Sequence, residues 1–155
     1  MKLVFSSMLL AAAALVGAVT IAAQGGQAPT QPAGPTMAKT WTDDDLDKLM
    51  KEIGATSGAI RKAIDGQNAE LLKTNADKIE ELFEQVDDFW SARNVKEAAD
   101  IADDAAEHAE HIEDAADAKD FAKAGEHAKL MQGTCAACHG KFRDKGPDGQ
   151  YRIKP

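Results

Sequence analysis

A seam of small apolar residues limits most strongly what this chain can fold into. Val95, Ala98, Ala102, Ala105, Ala109, Ile112 and Ala116 alternate steps of three and four, which places them on one face of an α-helix. Asp and Glu fill the opposite side. A coiled-coil-like seam built of such small side chains lets a neighbouring helix approach closely.

Three further segments share the helical period. The first opens at Thr42, a good N-cap, followed by Asp43, Asp44 and Asp45 at the positive end of the helix dipole. Leu46, Leu49, Met50, Ile53, Ile60 and Ile64 form its stripe, and Gly66 closes it. The second runs from about Asn68 to Trp90, with Leu72, Ala76, Ile79, Leu82, Phe83, Val86, Phe89 and Trp90 on its apolar face; Asn94 marks the following turn. The fourth begins near Asp120 and repeats by sevens through Phe121, Ala128, Cys135 and Phe142, with Gly146-Pro147 as its expected stop. The tail over 147–155 reads as loosely ordered. Four amphipathic helices with short connections predict an all-α fold, an antiparallel up-and-down four-helix bundle over 41–146. Only 5% of the residues are aromatic, in keeping with helices rather than sheet.

Ahead of the bundle, Met1-Lys2 carries one positive charge and Met8 to Ala23 is nearly all apolar. That is the layout of a secretory signal peptide over 1–23, with cleavage near Ala23 and export to the periplasm. The run is short for a membrane span of about 20 residues, and an uncleaved anchor is the one route to a membrane. Residues 24–40, rich in Gly, Pro, Gln, Ala and Thr, read as a disordered linker. The formal net charge of -8 argues against nucleic acid, which needs a basic footprint. It permits steering toward a basic partner and equally serves solubility.

The fourth helix carries Cys135-Ala136-Ala137-Cys138-His139. A Cys-x-x-Cys-His pentad reads as a covalent c-type haem attachment site. Two thiols form thioethers to the two vinyl groups of one porphyrin, and the adjacent His holds the iron from the proximal side. On a helix the three side chains fall at i, i+3 and i+4, one face. A thioredoxin-like dithiol would sit near a β-α-β pattern, and a structural zinc site needs four ligands; the chain has no convincing strand and no second Cys pair. Export and pentad agree, because bacterial haem c is attached outside the cytoplasm. A haem between helices would also fill the gaps that an Ala-rich seam leaves.

Signal peptide, four helices and one pentad on the last of them resemble the class II c-type cytochromes, the cytochrome c prime group and its low-spin relatives. The resemblance covers about Trp41 to Lys145. Two stretches carry it: Cys135-Ala-Ala-Cys-His-Gly-Lys-Phe-Arg143, and Lys48-Leu-Met-Lys-Glu-Ile-Gly54. It implies one haem c per chain held by Cys135 and Cys138, with His139 as proximal ligand. It also implies that Arg143, one helical turn on, lies near the haem edge or the proximal His, a free surface Arg being the alternative. The second stretch is similar to the low-spin members' segment with the axial Met, which here is Met50.

Two distal arrangements are open. With Met50 bound, the iron is six-coordinate and Met/His ligation suits electron transfer. With Met50 only packed over the iron, the site is five-coordinate and binds small gases such as nitric oxide. Met is also an ordinary core filler. Cytochrome c prime members often have an Arg one turn before the distal position; here that place is Leu46. Gly54 and Gly58 follow Met50 at four-residue steps. Each costs the helix about 1 kcal/mol relative to Ala, which a close approach by the flat porphyrin or by a neighbouring helix would explain. His111 points away from the seam and is expected in solvent. His108 lies at the seam's boundary, and His127 flanks the fourth helix's stripe.

The leading functional expectation is thus a periplasmic monohaem one-electron carrier serving redox partner proteins, not an enzyme. Its competitors are a gas-binding haem protein and a non-haem bundle. The latter's only candidate cluster, Asp104, His108 and His111, lacks the Glu-x-x-His pairs of di-metal carboxylate sites. Relatives often dimerise through their first two helices, so a homodimer is allowed.

Overall fold

The structure, a computed structural model, describes residues 39–154. The expected signal peptide, and all of the expected linker but its last two residues, lie outside that range. Four helices pack against each other: α1 (Asp43–Asp65), α2 (Ala69–Ser91), α3 (Lys96–Asp117) and α4 (Phe121–Phe142). Among the described residues no helix is long and apolar enough to cross a membrane.

The helix starts follow from local chemistry. The Thr42 hydroxyl accepts from the Asp45 amide at 3.2 Å, and the Asp45 carboxylate accepts from the Thr42 amide at 3.0 Å and its hydroxyl at 2.7 Å. This reciprocal pairing satisfies donors that the first turn would leave orphaned. Asn68 caps α2 through the Leu71 amide, and Asp120 caps α4 through the Lys123 amide, each at 3.0 Å. The bonds from Thr42 hold the Asp45 carboxyl below the usual aspartate range. A carboxyl lowered by folding stabilises the fold above its ordinary titration range and ceases to as pH falls through the lowered value. Thr42→Ala is expected to cost about 1 kcal/mol at neutral pH. It should also flatten the acid limb of the stability curve, as followed by thermal melts from pH 7 to pH 2.

All three connections close in the same way. The Asn68 amide donates to the Ala63 carbonyl, Val95 to Trp90, and Asp120 to Ala115, while Gln67, Asn94 and Lys119 donate to Ile64, Ser91 and Ala116. These are paired 6→1 and 5→2 bonds around a left-handed residue. Gln67, Asn94 and Lys119 have φ of 48°, 58° and 55°. Gly66, expected to close α1, has φ -82°; the left-handed position falls one residue later. Left-handed backbone costs a non-glycine residue roughly 1–2 kcal/mol. Lys119→Gly is therefore expected to stabilise the bundle, by about 1 kcal/mol once the greater freedom of glycine in the unfolded chain is offset. Urea denaturation measures it.

Connections of three or four residues lay consecutive helices side by side. The α2–α3 pairing is the most extensive, and α1 and α4 touch only sparsely. The seam residues Ala98, Ala102, Ala105, Ala109, Ile112 and Ala116 are all buried, joined by Ala99, Ala106 and Ala115. Facing helices supply the volume they lack, through Leu72, Ile79, Phe89 and Ile60, which are fully buried.

A run of aromatic rings ties one end of the bundle together. Trp41 meets Phe89 at 6.3 Å between centroids, Phe89 meets Trp90 at 5.0 Å, and Trp90 meets Phe142 at 5.5 Å. The start of α1, the end of α2 and the end of α4 thereby share one pole. Arg93 lies over the Phe89 ring at 3.6 Å and pairs with Asp43 at 2.8 Å. Lys141 of α4 pairs with Glu97 of α3.

The end of the chain departs from expectation. α4 stops at Phe142, four residues before Gly146, and the described part of the expected tail, 147–154, is not loose. Arg143–Lys145 (β1) pairs antiparallel with Tyr151–Ile153 (β2), Arg143 opposite Ile153 and Lys145 opposite Tyr151. Gly149 turns the hairpin with φ 79°. A side chain at Gly146 would meet Asp148 at 2.8 Å, so the pair read as a helix stop is part of a tight loop. Ile153 packs against the core, and the Lys154 amide donates to the Phe142 carbonyl at 2.9 Å. The last carbonyls of α4 gain their partners from the chain's own end.

Candidate functional site

Cys135, Cys138 and His139 lie on the final two turns of α4, all half-buried, and both thiols are free. Cys135 packs against the edge of the hydrophobic core. Burial pushes both thiols up; the neighbouring Cys135 also raises Cys138, and the Arg143 charge opposes it there. A redox dithiol works through a depressed, thiolate-forming cysteine. Here the surroundings favour the protonated thiol, which weighs against that alternative.

Burial also lowers His139, and the nearby Arg143 charge lowers it further. The imidazole is thus neutral at neutral pH, the form that offers a lone pair to a metal. Arg143 does not stand one helical turn beyond His139 on α4. Its backbone is extended, with φ -110° and ψ 131°, and its guanidinium lies over the Tyr151 ring at 4.2 Å. Its charge nevertheless acts on both Cys138 and His139. The hairpin, rather than the helix, holds it there.

Met50 and Gly54 belong to the neighbouring α1. Met50 is half-buried and packs against the same core that Cys135 adjoins. It stands seven residues in from the start of α1, and Cys135 stands seven residues before the end of α4. Because those two helix ends share the aromatic pole, both residues lie at one level, about 10 Å in from it. Gly54 is exposed, and a Cβ there would meet nothing within 4 Å; Gly58 has only the Arg61 guanidinium, at 4.0 Å. Close helix packing therefore does not explain either glycine. Open space over Gly54, two protonated thiols, a neutral His139 and a sparsely packed α1–α4 edge fit a flat group attached to α4 and lying toward α1. A concavity of about 490 Å³ lies elsewhere, lined by Lys39, Trp41, Gln85 and Asp88 among others.

A second grouping was not anticipated as a unit. His111, expected in solvent, is half-buried, with its ring centroid 4.6 Å from that of His127. His108 lies 5.6 Å from His127. The signal was present in the numbering: His111 and His127 each stand eight residues from Lys119, the left-handed pivot between α3 and α4. Burial, followed by the neighbouring His111 and His108, lowers His127.

No family model matches the chain, and comparison with curated proteins and with solved structures returned no significant match either.

Proposed function

We propose that the chain is an exported monohaem c-type cytochrome of the class II kind, acting as a one-electron carrier. Cys135 and Cys138 would hold haem c by thioethers, His139 would be the proximal ligand and Met50 the distal one. The haem would supply a ferric/ferrous couple at a potential that Met/His ligation raises. The observation that carries the reading is the pentad itself, on one half-buried helix face with its thiols protonated and its His neutral.

The residues of the chain have separable tasks. α4, capped by the hairpin, fixes the two attachment points and the proximal imidazole on one rigid element. Neighbouring apolar side chains, among them Phe142 and the buried Met131, exclude water from one side. Arg143 places a positive charge near the proximal His, which disfavours the oxidised, more positive state. Met50 shares a level with Cys135, within a side chain that is flexible and polarisable. Periplasmic redox proteins are the implied partners. A membrane enters only if the leader is retained, and self-association through α1 and α2 is compatible with the reading.

Optical spectra of the haem-matured protein test it. The oxidised wild type is expected to show the weak Met-to-ferric-iron band near the red edge, and Met50→Ala to lose it. A high-spin spectrum that Met50→Ala leaves unchanged and nitric oxide shifts would replace the electron carrier with the five-coordinate gas binder.

A further inference from the structure

Far from the pentad, α3 and α4 bring His108, His111 and His127 together. His127 precedes His139 by twelve residues, about 18 Å along the helix. His108 and His111, three apart, share a face of α3. Two of the three rings bury an Nδ1 atom that has no hydrogen-bond partner, those of His108 and His127. Leaving a buried polar atom unsatisfied is costly, and two at one spot ask for a shared partner.

We propose that these three histidines form a binding site for a borderline divalent metal ion, with zinc as the reference cation, clamping α3 to α4. The spacing carries this. A zinc–imidazole bond of about 2.0–2.1 Å puts each ring centroid roughly 3.2 Å from the metal, so two rings in a tetrahedral set stand roughly 5 Å apart. The observed separations from His127, 4.6 Å and 5.6 Å, straddle that value. Among the described residues no group of three such side chains is placed to hold a metal ion as it stands; the site would form by rotation of the three rings on a backbone that already brings His108 and His111 to His127.

The surroundings agree with the ligand set. Glu107 holds an oxygen 3.7 Å from His111 Nε2. That is beyond hydrogen-bond reach, but a small side-chain approach would let the carboxylate accept from the Nε2 N–H and leave Nδ1 for the metal, an outer-shell arrangement found among metal-bound histidines. Nδ1 is also the orphaned atom of His108 and His127, so all three rings offer the same atom. His111 is 38% exposed, which gives an access route from solvent and a place for a water as fourth ligand. Imidazole sets suit zinc, copper and nickel. Glu126 and Lys123 also lie close enough for their charges to act on His127. The proposal does not rest on the haem reading, since none of its residues belongs to the pentad.

Zinc titration of the metal-stripped, full-length mature protein by calorimetry tests it, using wild type, His127→Gln, Glu107→Gln and the double variant Cys135→Ser, Cys138→Ser. One zinc per chain is expected in the wild type and in the double cysteine variant. Glu107→Gln should bind roughly tenfold more weakly, as for a lost outer-shell partner, and His127→Gln more weakly still. Histidine-selective ¹⁵N spectra of the wild type should show the Nδ1 signals of His108, His111 and His127 shifting together with one equivalent, and they decide the matter if His127→Gln does not fold. Absence of saturable binding would overturn the site. So would binding that survives His127→Gln and vanishes with the two cysteines, or ¹⁵N shifts confined to His139.

Discussion

A chain carrying both Cys135→Ser and Cys138→Ser is expected to leave the export and maturation route without covalent haem. After denaturing electrophoresis the wild-type band should show haem peroxidase activity and the double variant none, an all-or-nothing difference. The physical reason is the geometry of α4. The two thiols lie one turn apart on one half-buried face, and burial keeps them protonated and free. Hydroxyl groups in their place cannot form thioethers. The single variants should keep one bond each and stain weakly. If the wild type itself carries no Soret band and no covalent haem, the cytochrome reading fails as a whole.

Phe89→Ala is the second large effect, and it falls on the fold. Phe89 is fully buried and is the middle of the aromatic run, edge-on to Trp41 and Trp90 and covered by the Arg93 guanidinium. Truncating a buried Phe to Ala typically costs 3–5 kcal/mol, through lost transfer free energy and the cavity left behind. A domain of this kind has about 5–15 kcal/mol in total, so the variant should sit near the edge of folding. Urea denaturation of both proteins gives the difference. A loss below about 1 kcal/mol would mean that the pole repacks around the gap and is not the junction described here. The prediction reaches the pentad, because the same run includes Phe142, three residues after His139.

Much of this arrangement was legible in the residues. Thr42 announces a helix start because an N-cap is a local bond between near neighbours, and the structure makes that bond; the starts expected near Asn68 and Asp120 prove to be capped in the same way. The apolar seam of α3 is buried as its spacing implied. The pentad stands out because it is contained in five consecutive positions, and the structure keeps its three side chains on one half-buried helix face. The end of α4 was not: Gly146 and Pro147 look like a helix stop, yet Arg143–Lys145 finds strand partners at Tyr151–Ile153. Three-residue strands are too short to show a period of two. Placing Arg143 on the helix followed from that misreading. His111 keeps 38% of its side chain exposed, but its pairing with His127 was not legible for another reason. A helical wheel tells which side of its own helix a residue occupies, but not which neighbour flanks that side, and α4 flanks it with His127. The role of Met50 was open for a similar reason, since a thioether at that spacing serves a core or an iron equally well.

The hairpin that caps α4 has a consequence in time. Ile153, which packs on the core, and Lys154, whose amide satisfies the Phe142 carbonyl, are made after all four helices. The four helices can therefore be complete in sequence while the end of α4 still lacks its cap. The end of α4, with Cys135, Cys138 and His139 on its half-buried face, is thus settled only once Tyr151–Ile153 has paired with Arg143–Lys145.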